Sequence, residues 1–260
     1  MINFNTIKQR IPSPIKRPFS NAKSGIELYF QKGKKIVSLL GIDAKFNIKN
    51  RNDIRRLSES FEGPYALDII EFLKKLDNHS MVVNIGSAQG FYVVFAGLTG
   101  HKVVAIEPDP TTFIDLDKNI SLNQLNNLVE SRELALGASN EQINLSTDGS
   151  EGKAPRIGNP EGFKGTIPVQ MARFDSEFNS ENLPKMLIVD IEGYEYEFLK
   201  GMGDLRPEDI FIEIHPILLE KIGSNKEEVM EIFKKYGYRL EKTYERGGEL
   251  HCHFTFKKSI

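Results

Sequence analysis

The sequence predicts an α/β protein with a doubly wound, Rossmann-like parallel sheet and an antiparallel C-terminal hairpin. Three observations predict it. Short apolar segments at Met81–Ile85, Lys102–Ile106, Leu128–Leu134, Met186–Asp190 and Ile210–His215 alternate with helical patterns, as parallel strands covered on both faces do. The first segment runs into Gly86 and Gly90, and the second ends in the carboxylate of Glu107, the order expected of a nucleotide-binding βαβ unit. The chain closes with "GYRLEKTY" and "ELHCHFTFKK" around "ERGG", two strands joined by a turn.

Composition narrows the setting. With 260 residues, 40% hydrophobic and 27% charged, the chain can bury one large core, or a core with a small appendage. No window has the length of a membrane-spanning helix, and the N-terminus lacks the apolar core of a signal peptide, so a soluble cytoplasmic protein is expected. The single Cys252 excludes an intramolecular disulfide and fits a reducing compartment.

The net charge of −2 hides an asymmetry. Residues 1–56 carry 13 Lys/Arg against 3 Asp/Glu, whereas residues 57–260 carry 21 against 33. A basic N-terminal extension therefore precedes an acidic domain. Pro12, Pro14 and Pro18 predict an extended or poorly ordered start, and "IELYFQKGKKIVSLLGI" one short helix. Such an arm either touches an anionic surface, at a membrane for instance, or packs as a solvated extension on the acidic body. In "GPYALDIIEFLKKL", Pro64 opens an amphipathic helix with Leu67, Ile70, Leu73 and Leu76 on its apolar stripe.

Ligands of such sheets bind at the carboxyl ends of the strands, where Gly86 and Gly90 lie. A dinucleotide site needs G-x-G-x-x-G to pass a pyrophosphate, but "GSAQG" is G-x-x-x-G, which suits a ligand without phosphate. Glu107 is placed to accept hydrogen bonds from two ribose hydroxyls, since a carboxylate offers acceptors only.

In chain order, "VVNIGSAQGFY", "VVAIEPDPTTFIDLDKNISLN", "ELALGASN", "RFDSEF", "LIVDIEGYEYEFLKGM" and "IFIEIHP" resemble the successive motifs of FkbM-type S-adenosylmethionine-dependent methyltransferases, from about Pro64 onward. "EPDP" with the later Asn119 and Asn123, and "DIEGYE", are the most specific pieces. The resemblance implies S-adenosylmethionine as cofactor, held by Asn84, Gly86, Ser87, Gly90, Phe91, Glu107 and Ala135, and O-methylation, often of sugar hydroxyls in glycans, glycolipids or natural products. Two positions depart from the family pattern. Asn84 stands where the family usually has Asp, and Ile188 where it usually has Lys two residues before the Asp of D-x-E-G. A neutral Asn84 would contact the methionine ammonium more weakly than a carboxylate.

Methyl transfer to a hydroxyl needs alignment with the sulfonium and a group that takes the acceptor's proton. Asp190 and Glu192 end one strand, and Glu213 and His215, two apart and so on one face, end another. Either His215 is the general base, oriented by a carboxylate such as Asp190 or Glu213, or Asp190, Glu192 and Glu213 hold a divalent cation, Mg²⁺ for example, that orients sugar hydroxyls. Asp175 sits where a helix N-cap belongs. His251 and His253 share one side of a strand but form a poor zinc site, and read as structural.

The Gly- and Pro-rich stretch Thr147–Gly165 separates "INLS" from "TIPVQM", two pieces that could pair beside the main sheet. It predicts a substrate-contacting lid with Lys153 and Arg156 facing an anionic or polyhydroxyl acceptor. Competing readings are a nucleic-acid methyltransferase using the basic arm and a scaffold that keeps the fold without catalysis. The chain lacks an N/D-P-P-Y/F motif for amino-group methylation, and it retains Asp190, Glu192, Glu213 and His215.

Overall fold

A computed structural model describes residues 19–21, 26–31, 34–49, 53, 57, 60, 64–147, 156–158 and 165–257. The basic arm supplies β1 (Phe19–Asn21), β2 (Ile26–Gln31), β3 (Lys34–Leu39) and β4 (Ile42–Asn47), an antiparallel meander in that order. This corrects the short helix expected there. The segment is interrupted by a tight turn at Leu40 and Gly41, and Val37, Leu39, Ala44 and Phe46 alternate inward with period two. The proline-rich start of the arm lies outside the described residues.

α1 (Pro64–Lys75) follows, with Ile69, Ile70 and Leu73 buried, and leads into β5 (Met81–Ile85). The chain then alternates through α2 (Phe91–Leu98), β6 (Lys102–Ile106), α3 (Pro110–Leu122) and β7 (Val129–Arg132). β8 (Ala135–Gly137), β9 (Glu141–Thr147), β10 (Arg156–Ile157) and β11 (Gly165–Arg173) form a separate four-stranded sheet, ordered β10-β9-β11-β8. β9 and β11 pair antiparallel, as their sequence suggested. Of the lid expected between them, Arg156 to Gly158 are described and Lys153 lies outside the described residues.

The chain returns to the main sheet through α4 (Phe174–Glu177), β12 (Met186–Val189), α5 (Glu195–Gly201), β13 (Asp209–Ile214), α6 (Pro216–Lys221), α7 (Lys226–Lys235), β14 (Tyr238–Arg246) and β15 (Glu249–Phe256). Asp175 does not cap α4. Arg173 occupies that position, and Asp175 in the first turn grips its guanidinium through two hydrogen bonds of 2.8 and 2.6 Å.

The main sheet has the order β14-β15-β13-β12-β5-β6-β7, with β5, β6, β7, β12 and β13 parallel and β15 antiparallel to both neighbours. Strand order reverses at β5, which opens a crevice at the carboxyl ends of β5 and β12. Both faces are dry: Val82, Val103, Ile188 and Phe211 pack on α1 and α2, and Val83, Val104, Leu187 and Ile212 pack on the other side with Phe198 and Phe233. Among the described residues no helix is long and apolar enough to cross a membrane.

The meander is seated on this body by specific contacts. The Asn123 amide accepts from Lys45 N–H at 2.9 Å and donates to Lys45 C=O at 2.8 Å, completing β4 as another strand would. Asn119 accepts from Asn47 N–H at 2.8 Å while donating to the Gln89 carbonyl, also at 2.8 Å, and so ties the arm to the glycine turn. Lys49 pairs with Asp115, and Phe46 stacks on Phe91 with centroids 6.0 Å apart. Part of the arm's positive charge is thus spent on the acidic body. Replacing Asn123 by Ala removes both backbone bonds at an exposed site, and should lower unfolding free energy by about 1 kcal/mol. An unchanged urea midpoint would contradict this account of how β4 is held.

Candidate active site

The turn after β5 is tight because nothing larger fits. Gly86 has φ +74°, and a Cβ built on it would lie 1.7 Å from the Asp190 carbonyl oxygen. The first glycine therefore presses the loop directly onto the end of β12. Glu107, at the end of β6, closes the loop from the other side. Its Oε2 accepts from Ala88 N–H at 2.8 Å and its Oε1 from Asp109 N–H at 2.9 Å. Asp109 in turn caps α3 by accepting from Thr112 N–H at 2.7 Å, with Pro110 at the first helical position.

A cavity of about 520 Å³ opens here and runs from the glycine turn to the ends of β13 and β15. Gly86, Glu107 and Ala135 line one end. Ser87 sits behind the wall, where its hydroxyl donates to Asn84 C=O at 2.9 Å and accepts from Ile106 N–H at 3.0 Å. Asn84 is buried, its amide donating to the Ile188 carbonyl at 3.0 Å. Gly90 and Phe91 begin α2, with a Cβ at Gly90 destined to meet Leu116 at 2.6 Å. Of the seven residues expected to hold the cofactor, then, three face the cavity and four support the turn.

Asp190, Glu192, Glu213 and His215 line the other end. The D-x-E-G turn carries Glu192 at φ +52°, in the left-handed region that costs a non-glycine residue energy, followed by Gly193 at φ +98°. Glu195, fully buried at the start of α5, accepts from Gly193 N–H at 2.9 Å and from the His215 imidazole Nδ1 at 2.7 Å. This carboxylate orients His215, and the sequence reading passed over it. The signal was available, since Glu195 lies five residues beyond Asp190 in "DIEGYE", but nothing local says that its side chain reaches back across the turn.

His215 Nε2 then points at Asp190 Oδ1, 3.8 Å away, and Glu213 Oε1, 3.7 Å away. Burial disfavours charge on His215, but the Glu195 hydrogen bond and the neighbouring carboxylates outweigh it and raise its pKa to about 10. These carboxylates favour the imidazolium form of His215. Asp190 is driven up to about 7, first by burial and then by Glu192 and Glu195 against the opposing pull of His215. One of its oxygens, Oδ1, is enclosed without a hydrogen-bond partner, although 44% of the side chain faces the cavity. Glu213 is raised further by burial and by Asp190.

Ligand atoms of Asp190, Glu192 and His215 lie within 4.8 Å of one another, and so do those of Glu213, Glu249 and His251. Glu213 is thereby grouped with two residues of β15 rather than with Asp190 and Glu192. Arg156 reaches in from β10 and pairs with Glu192 at 3.3 Å. The two strand histidines part company. His253 bonds Asp209 at 2.9 Å and stacks on Phe211 at 4.0 Å, a structural role, while His251 lines the cavity.

This sheet, with its glycine turn and terminal acid at the strand-order reversal, defines an S-adenosylmethionine-dependent methyltransferase. The model of the methyltransferase FkbM domain matches residues 81–240, and the chain belongs to that family. No curated protein matches the chain. Solved structures similar to it include a Pyrococcus horikoshii protein described as a transferase, 19% identical over 88% of this chain and 74% of that one, with a TM-score of 0.46. TYW2 of P. horikoshii, solved with MeSAdo, is 17% identical over 88% and 72%, with a TM-score of 0.45. Precorrin-6y C5,15-methyltransferase of Geobacter metallireducens is 11% identical over 82% and 94%, with a TM-score of 0.48.

Proposed function

We propose that the protein transfers the methyl group of S-adenosylmethionine to a hydroxyl of a sugar or glycoconjugate. The observation that carries this reading is the continuity of one cavity from the Gly86–Glu107 end to the acid–imidazole cluster around Asp190. Glu107 would hold the cofactor's ribose hydroxyls, and S-adenosylmethionine would supply an electrophilic methyl group toward Asp190, whose backbone lies against the glycine turn. The acceptor hydroxyl lies against Asp190. The Asp190 carboxylate takes its proton as the oxygen attacks the methyl carbon and the carbon–sulfur bond breaks. S-adenosylhomocysteine and a methyl ether are the products. An imidazolium cannot serve as the base, so His215, fixed by Glu195, holds the acceptor or the Asp190 carboxylate in place. A carboxylate near neutrality suits this work, because a general base acts best with a pKa close to the operating pH.

The reaction takes place in the cytoplasm, and the basic composition of residues 1–56 brings the enzyme to anionic surfaces. Incubation with methyl-labelled S-adenosylmethionine and a panel of free, lipid-linked and nucleotide-linked sugars tests the reading, with mass spectrometry locating the label. An O-methyl ether is expected. Label found only on nitrogen or carbon of other acceptor classes would overturn it. Glu107→Ala should weaken S-adenosylmethionine binding by about 10- to 100-fold, the range for losing charged hydrogen bonds to two hydroxyls. Unchanged affinity in calorimetry would remove the ribose assignment.

A further inference from the structure

The sheet register gathers more chemistry at this end of the cavity than the β12 and β13 motifs alone supply. Glu213 on β13 is the direct cross-strand partner of His251 on β15. Glu249 lies two residues before His251 and so projects from the same face. Their ligand atoms all fall within 4.8 Å of one another, with His251 Nδ1 at 3.3 Å from Glu213 Oε2.

His251 provides the second, independent sign. Its residue is 5% exposed, neither buried ring nitrogen makes a hydrogen bond among the described residues, and it lines the cavity with the Tyr65 ring tilted against it at 4.7 Å. Buried polar atoms are almost always satisfied, so two orphaned nitrogens on one imidazole call for a ligand.

We propose that Glu213, Glu249 and His251 bind a first-row divalent cation, Mn²⁺ or Zn²⁺, at the acceptor end of the cavity. One imidazole with two carboxylates favours such an ion over Mg²⁺, which prefers oxygen ligands alone. Three protein ligands leave coordination positions open. Its catalytic role rests on the reading above: the open positions take the acceptor's hydroxyls and lower the pKa of the one beside Asp190.

The test is Mn²⁺ titration of the chelator-stripped full chain, followed by the electron paramagnetic resonance of free Mn²⁺ and by displacement with Zn²⁺. One ion per chain is expected. His251→Ala and Glu249→Gln should each weaken binding at least tenfold, whereas Glu192→Gln, in the neighbouring cluster, should change it less than threefold. S-adenosylmethionine affinity, measured in parallel, reports that each variant is folded. Glu249 is partly exposed beside the hairpin turn, so its variant decides the matter if the His251 one does not fold. No bound Mn²⁺ or Zn²⁺, unchanged affinity in Glu249→Gln, or loss in Glu192→Gln instead would overturn the site. Mn²⁺ bound by a protein that methylates no hydroxyl acceptor would support the site and remove only the function on which its role rests.

Discussion

Asp190→Asn should lower turnover by about 10² to 10⁴-fold, the range for losing a general base, while leaving S-adenosylmethionine affinity nearly unchanged. The amide keeps the shape of the side chain and its place beside the turn, so the loss falls on the chemical step. In the wild type, turnover should fall as pH drops through about 7, where Asp190 becomes protonated and can no longer accept a proton. It should fall again as pH rises through about 10, where His215 loses its charge. The variant should lose the acid limb. Glu195→Gln should instead move the alkaline limb downward, because the hydrogen-bonded carboxylate on Nδ1 is the chief influence raising the His215 pKa. A profile in which Asp190→Asn keeps the acid limb, or in which turnover depends on neutral His215, would return the base to His215.

The same ion pair makes a statement about stability. The folded pKa of His215 lies above its unfolded value of about 6.5, so its contribution is fully present below that pH and is lost as pH rises toward about 10.

The parts legible in the sequence are those set by periodicity and by glycine. Met81–Ile85 and Lys102–Ile106 are strands with the bounds expected, because apolar runs between turn residues leave little choice. Gly86 marks the loop because any Cβ there would strike Asp190. The meander was misread because "IELYFQKGKKIVSLLGI" contains apolar residues at both helical and strand spacing, and only pairing between its own strands and docking on Asn119 and Asn123 selects the strands. The site was legible along each strand but not across strands. "EIHP" placed Glu213 with His215, and "ELHCH" placed Glu249 with His251, yet the register that sets Glu213 against His251 belongs to the sheet and leaves no local trace. Glu195 was missed because its side chain reaches from the start of α5 back across the turn to His215, which no local pattern signals.

Asn84→Asp alone should destabilise the protein by about 3–4 kcal/mol at neutral pH, from the cost of keeping an unpaired buried carboxyl either charged or protonated. The two departures from the family pattern turn out to be neighbours. Asn84 and Ile188 are register partners on β5 and β12, each 2% exposed, and the Asn84 amide donates to the Ile188 carbonyl at 3.0 Å. An Asp and a Lys at these places would form a buried pair, whereas this chain holds neutral groups at both. Such an exchange is stability-neutral or better when both partners change, and costly when only one does. Ile188→Lys alone should therefore destabilise as well. Asn84→Asp combined with Ile188→Lys should recover at least half of the summed losses, a coupling of about 2 kcal/mol or more in a double-mutant cycle by urea unfolding. The Asn84→Asp penalty should shrink as pH falls toward about 4, because the raised folded pKa makes the loss grow only above the unfolded value, and a protonated carboxyl can donate to the same carbonyl. Strict additivity of the two variants would refute the paired exchange. Asn84→Ala supplies the complementary reading: with the amide directed behind the cavity wall, S-adenosylmethionine affinity should stay within about threefold of wild type, well under 1 kcal/mol. A larger loss would put Asn84 in contact with the cofactor.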